Sequence, residues 1–280
     1  MSLQNLGPTH TASLFRPLLA ELIGLLRALP GGEWGRPTLA GAWKVRDVAA
    51  HLLDGDLRKL AAYRDGHQVP LETPIRTDQD LVRFINSLNA SGVAFGARLS
   101  HRLLTDLLEL TGGWLAEMTE VLPPHEPSLF AVSWAGEAQS QNWMDIGREY
   151  TERWHHQMQI RDAIGEPRLL APRWMDPLLD LSVRALPLAY AHLSASDGTA
   201  VALEIRGPTE GTWSVIRQKG VWRVLRGQDP SPNALVRMAA DDVWRVFYNA
   251  AHSPGLRERI ETEGDLNLAQ PMLNARSVIV

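Results

Sequence analysis

The chain has 280 residues, long enough for one large domain or two modest ones. With 45% hydrophobic residues, 21% charged residues and a net charge of −4, it has a globular composition and lacks the basic excess that nucleic-acid binding calls for. Zero cysteines exclude a disulfide framework, fit a cytoplasmic protein, and leave the chain without a thiolate ligand or a thiol nucleophile of its own.

In chain order, Leu14, Leu18, Leu19, Leu22, Leu25 and Leu26 recur at helical spacing within 11–29, and Pro30-Gly31-Gly32 ends that helix. A second helix starts near Val45, carries Val48, Leu52, Leu57 and Leu60, and closes at Gly66. His67 to Thr77 reads as a loop. A third, long helix is expected from about Asp78 to Thr111, continuing to Leu122 with a kink at Gly112-Gly113, and Pro123-Pro124 stops it. A loop of about fifteen residues follows, of the length that often carries function. The fourth helix spans about Gln141 to Ile164, with Gly165 and Pro167 at its end.

After Pro167 the pattern changes. Arg168–Arg173 reads as a linker and 174–193 as a helix. Thr199–Arg206 alternates like a strand, and Thr212–Gln218 and Val221–Arg226 flank a hairpin turn at Lys219-Gly220. Helices are expected at 233–249 and 265–274, the latter capped by Asp265, and Arg276–Val280 reads as a last strand. The expected architecture is a four-helix bundle over 1–167 followed by a smaller α+β domain over 168–280. No run has the length of a membrane span, so no membrane partner is expected. Ten tryptophans read mainly as packing residues.

Chemistry concentrates at three positions. Glu152 and His156, four apart on the fourth helix, lie on one face about a turn apart, together with Asp145 and Glu149. His51 sits in the small and apolar run Val48-Ala49-Ala50-His51-Leu52-Leu53, with Gly55 leaving room one turn on. Asp47 and Asp54 are candidate acceptors for its second ring N–H. Two imidazoles and one carboxylate make an open metal site that leaves coordination positions for water, substrate or a thiol. Taken singly, His51 also fits a buried, hydrogen-bonded histidine, and Glu152/His156 a solvated pair. Adjacent His155 points about 100° away and reads as a rim or surface residue. The histidines at 10, 67, 101, 125, 192 and 252 read as surface or loop residues, and Asp54, Asp56, Asp241 and Asp242 as solvated charges or caps.

The segment Trp43-x-Val45-x-Asp47-Val48-Ala49-Ala50-His51-Leu52, then Glu152-x-x-x-His156 and Arg161-Asp162-Ala163-Ile164-Gly165, resembles the mycothiol-dependent maleylpyruvate isomerase family, within the DinB-like superfamily of metal-binding four-helix bundles. The C-terminal half, with Glu263-Gly264-Asp265-Leu266 and its Trp-containing strands, resembles the sterol-carrier-like α+β domain that follows the bundle there. The resemblance implies that His51, Glu152 and His156 bind a divalent metal, zinc first, with Ni2+, Fe2+ or Mn2+ as alternatives. It implies a low-molecular-weight thiol such as mycothiol as cofactor, and a small electrophilic acid isomerised or conjugated by an isomerase or transferase. Arg223 on the hairpin is the candidate cation for an anionic substrate or cofactor, with Arg217 and Arg226 as rivals. The alternatives are a hydrolase with a metal-activated water, a ferrous oxygenase, or a non-catalytic metal-binding protein. The expected partners are the small substrate and the thiol, with the chain a monomer or homodimer.

Overall fold

The computed structural model describes residues 3–71, 74–250 and 253–279. His252 and the final residue of the expected last strand lie outside the described residues. The chain falls into two compact units. One comprises Thr11–Leu129 and Glu152–Arg168. The other comprises the segment ending at His10, Phe130–Thr151 and Leu169–Ile279. This grouping does not follow the single boundary at 167/168 expected from sequence, because residues 130–151 group with the C-terminal part.

The first unit is helical. It contains α1 (Phe15–Ala28), α2 (Val45–Tyr63), α3 (Asp78–Gly96), α4 (His101–Val121) and the C-terminal half of α5 (Asn142–Ile164). Leu22, Leu26, Val48, Leu52, Leu104, Leu108 and Ile160 form its core, each contributing roughly 1.5–3 kcal/mol by burial. The long third helix expected from sequence is two helices, α3 and α4. The break falls at Ala97–Ser100, where Ser100 Oγ accepts the Leu103 N–H at 3.2 Å and caps α4. Gly112 and Gly113 lie inside α4 without ending it. Two glycines of α3 set its approach to α2. A Cβ at Gly96 would run into Ala50, and one at Gly92 into the Asp54 side chain. No helix among the described residues is long and apolar enough to cross a membrane.

The second unit is α+β. Its sheet has six strands, β1 (Gln4–Asn5), β2 (Ala200–Arg206), β3 (Gly211–Gln218), β4 (Val221–Arg226), β5 (Ala234–Ala239) and β6 (Glu261–Gly264), in the order β1-β4-β3-β2-β5-β6. The β2–β5 pair is parallel and the other pairs are antiparallel. The hairpin turn is as expected. Lys219 and Gly220 both have positive φ, 51° and 77°, as a two-residue turn requires. The Asp197 carboxylate accepts both of their N–H groups at 3.0 Å.

Helices α6 (Pro172–Ser182), α7 (Leu186–Ala189), α8 (Ala240–Phe247) and α9 (Leu266–Asn274) complete this unit, with α7 on β4 and both α8 and α9 on β5. Asp265 caps α9 as expected, accepting the Asn267 N–H at 2.8 Å. Three expectations are corrected. The helix expected at 233–249 is strand β5 followed by the short α8. Its alternation Leu235, Arg237 against Val236, Met238 serves the sheet. The helix expected at 174–193 ends at Ser182 and passes through a 3-10 turn into α7. The described part of the tail is not a strand. It is pinned where the Ser277 N–H donates to Phe247 O at 2.8 Å and its hydroxyl to Ser182 O at 2.8 Å.

Candidate metal centre

The three chemical residues singled out by sequence come together in the helical unit. His51 on α2 and Glu152 and His156 on α5 each offer a donor atom, and these atoms lie within 4.8 Å of one another. Among the described residues this is the one such group of three His, Asp or Glu side chains.

Local sequence explains their placement. The Asp47 carboxylate accepts the Lys44 N–H at 3.0 Å and starts α2, although Lys44 offers no capping oxygen of its own. Val48, Ala49, Leu52 and Leu53 turn into the core and leave His51 on the flank of the helix. A tight turn before α2, in which the Thr38 hydroxyl and N–H both donate to Trp43 O, fixes Trp43. The Trp43 ring then stands 4.9 Å from the His51 ring and 6.4 Å from the His156 ring, forming an apolar wall. The two imidazoles meet edge to face with centroids 4.6 Å apart.

The ring protons decide what the site can hold. Gln159 Oε1 lies 2.8 Å from His156 Nδ1, and as an acceptor there it favours the tautomer with the proton on Nδ1. His156 Nε2 is 3.5 Å from Glu152 Oε2. That exceeds an ordinary hydrogen bond, and it is close to the roughly 3.3 Å between two donors each about 2.0–2.1 Å from a tetrahedral zinc. His51 Nδ1 is buried and has no hydrogen-bond partner. Burial holds the His51 pKa well below its usual value, and the neighbouring His156 and Arg58 push the same way while Glu152 opposes them. His51 is therefore neutral at physiological pH, the form that ligates a metal. An orphaned buried nitrogen, an imidazole whose Nδ1-protonated tautomer Gln159 favours, and a carboxylate at ligand spacing fit a divalent cation.

Several expectations change. Neither Asp47 nor Asp54 accepts from His51. Asp47 caps α2, and Asp54 Oδ2 lies 2.8 Å from Arg58 Nε. The residue that sequence reasoning missed is Gln159, three residues past His156, and its i, i+3 spacing was the available signal. His155 is buried, not on the rim, with its ring 4.1 Å from that of His156. Asp56 is fully buried rather than solvated. It pairs with Arg153 and accepts from the Thr111 hydroxyl at 2.8 Å. Asp242 is also buried, paired with Arg259 at 2.7 Å. His101 is half-buried and stacks on Trp34, centroids 4.3 Å apart. Asp145 and Glu149 are buried beside Arg148. Arg223 is exposed on β4, whereas Arg226 pairs with Asp180 and the Arg217 guanidinium lies over Trp222.

The sequence profile of the mycothiol maleylpyruvate isomerase N-terminal domain matches residues 15–161, more than half of the chain, and spans all three clustered residues. The chain belongs to this family. Membership places it among enzymes of isomerase type. Two uncharacterized proteins of Mycobacterium tuberculosis are each 27% identical to it over 195 residues, covering 69% of this chain and 72% of theirs. The crystal structure of the mycothiol-dependent maleylpyruvate isomerase superposes with a TM-score of 0.55 at 13% identity, covering 91% of this chain and 92% of that one. A histidine-to-alanine mutant of that enzyme matches equally, at 12% identity. At such identities the likeness establishes the fold, a helical N-terminal part and an α+β C-terminal part.

Proposed function

We propose that the chain is a metal- and thiol-dependent isomerase acting on a small electrophilic acid, with His51, Glu152 and His156 holding a divalent ion, zinc first among the candidates. The observation that carries the reading is the convergence of two imidazoles and a carboxylate, whose donor atoms lie within 4.8 Å of one another. Bound there, the metal would supply the Lewis acidity that lowers the pKa of a thiol, and a thiol of the mycothiol kind would supply a nucleophile that adds to a cis alkene and is expelled unchanged after bond rotation. The chain's own residues prepare the site. Gln159 favours the Nδ1-protonated tautomer of His156, and burial keeps His51 neutral. Glu152 brings the negative charge that offsets a cation, and Trp43 lines one side with an apolar ring. With no cysteine in the sequence, a thiol must come from outside. Arg223, exposed and outside the ion pairs that occupy its neighbour Arg226, is the cation of the α+β unit proposed to bind an anionic group.

The test is metal content with activity. Purified protein should hold about one zinc per chain, and His51→Ala, Glu152→Ala and His156→Ala should each drop occupancy to near zero while His155→Ala retains it, measured by elemental analysis. A cis alkene acid should be isomerised only with thiol and metal together. Full-rate turnover in thiol-free buffer would overturn the thiol mechanism.

A further inference from the structure

The metal-ligating face of α2 does not end at His51. Gly55 and Arg58 follow at four and seven residues, the spacing that keeps a helix face in line. At about 1.5 Å per residue, Arg58 lies roughly 10 Å along the axis from His51. Between them a Cβ placed on Gly55 would meet nothing within 4 Å, and Gly55 is half-buried. The face therefore presents a ligand, an open gap and then a cation.

Arg58 is held in an unusual way for a surface arginine. Its Nε lies 2.8 Å from Asp54 Oδ2, and its Nη2 donates to Asn89 Oδ1 of α3 at 3.0 Å. Asp54 is itself clamped against α3 at Gly92, where no side chain would fit. Asn89 by a hydrogen bond and Asp54 by its charge thus orient one edge of the guanidinium, although neither Arg58 Nε nor Asp54 Oδ2 has a hydrogen-bond partner. Nη1 has no hydrogen-bond partner among the described residues. The outer edge, Nη1 with the second Nη2 proton, is the edge that takes a carboxylate in bidentate fashion. The helix pair orients a guanidinium whose free edge has no structural task.

We propose that Arg58 binds a carboxylate of the substrate, with Gly55 kept small so that the substrate can lie along α2 between Arg58 and the three-residue centre. This rests on the proposed function and adds to it the residue that anchors the substrate's carboxylate. A purely structural Arg58 would serve α2–α3 packing alone, and Gly55 would then be a costless site for a larger residue. Alanine is the better helix former there, so Gly55→Ala should raise the thermal midpoint.

The experiment titrates maleate into full-length protein incubated with zinc, by calorimetry, with zinc content and thermal midpoint recorded for each sample. Arg58→Gln should weaken maleate binding by about 10-fold or more, as loss of a charge-assisted pair does. Arg58→Lys should fall between it and the unmodified chain, and Gly55→Leu should also weaken binding about 10-fold while the protein stays folded. Zinc content should not change in any of them. Maleate affinity unaltered in a folded Arg58→Gln variant, or no maleate binding by the unmodified chain, overturns the assignment. The two readings fail separately. If the unmodified chain holds no zinc, the proposed function fails, while Arg58-dependent maleate binding in the same samples still supports the carboxylate site.

Discussion

Glu152 and Arg153 are neighbours on α5, yet they belong to opposite kinds of site. Glu152 joins His51 of α2 and His156 in a group whose donor atoms lie within 4.8 Å of one another, and the Nδ1 of His51 has no hydrogen-bond partner. Arg153 turns about 100° away and meets Asp56 of α2, whose carboxylate is fully buried and takes a further hydrogen bond from Thr111 of α4. The same two helices thus carry an open polar cluster and a closed one. The closed cluster pairs opposite charges between α2 and α5. In the open cluster the Nδ1 of His51 has no hydrogen-bond partner.

The comparison can be broken at the closed cluster first. Asp56→Ala removes the buried carboxylate that pairs with Arg153 and accepts from Thr111, and should cost about 3–5 kcal/mol, read as a lower urea midpoint. Pairing that change with Arg153→Met should recover much of the loss, since the uncompensated charge is gone. A loss under about 1 kcal/mol for the single variant would show that the pair does not anchor the helices. The open cluster is sharpened by Gln159→Leu. Loss of the acceptor that favours the Nδ1-protonated His156 tautomer should weaken zinc binding by about 10–100-fold, measured by competition with a chelator, with the fold retained. Unchanged affinity would mean that Nε2 is presented without help from Gln159.

The smallest effect lies outside both clusters. His101, stacked on Trp34, has its pKa held below the usual 6.5, by burial first and by Arg46 second. The folded state therefore favours the neutral ring. Stability from this residue is fully present above pH 6.5 and is lost as pH falls below it towards the folded value. An NMR titration should place His101 below 6.5, and Arg46→Gln should raise it. A value at or above 6.5 in the unmodified protein ends this reading.

The grouping of His51, Glu152 and His156 was legible because helix periodicity puts Glu152 and His156 on one face, and a second histidine, His51, in an apolar run needs a reason to be there. What was illegible depended on partners distant in sequence. Asp56 reads as a solvated charge until Arg153, almost a hundred residues on, arrives beside it. His155 reads as a rim residue because periodicity fixes its direction but not what packs there. The break between α3 and α4 was missed because the Gly112-Gly113 pair outweighed Ser100, the residue that caps a helix. Strand β5 was missed because six residues with one internal charge fit either period, and its parallel pairing to β2 supplies the deciding hydrogen bonds.

Helix α5 has a consequence for taking this protein apart. Its first ten residues group with the α+β unit and the remainder with the helical one. Within the α+β unit the Tyr150 hydroxyl donates to Trp174 O at 2.7 Å, and Gly147 sits where any side chain would strike Leu181. A fragment ending at Pro167 would keep His51, Glu152 and His156 but lose Trp174 and Leu181, the neighbours of Tyr150 and Gly147. The two halves are therefore not exchangeable cassettes. A chimera that grafts a foreign C-terminal part after residue 167 must also supply a complement to residues 142–151, and recombination between relatives is expected to transmit α5 together with both of its neighbourhoods.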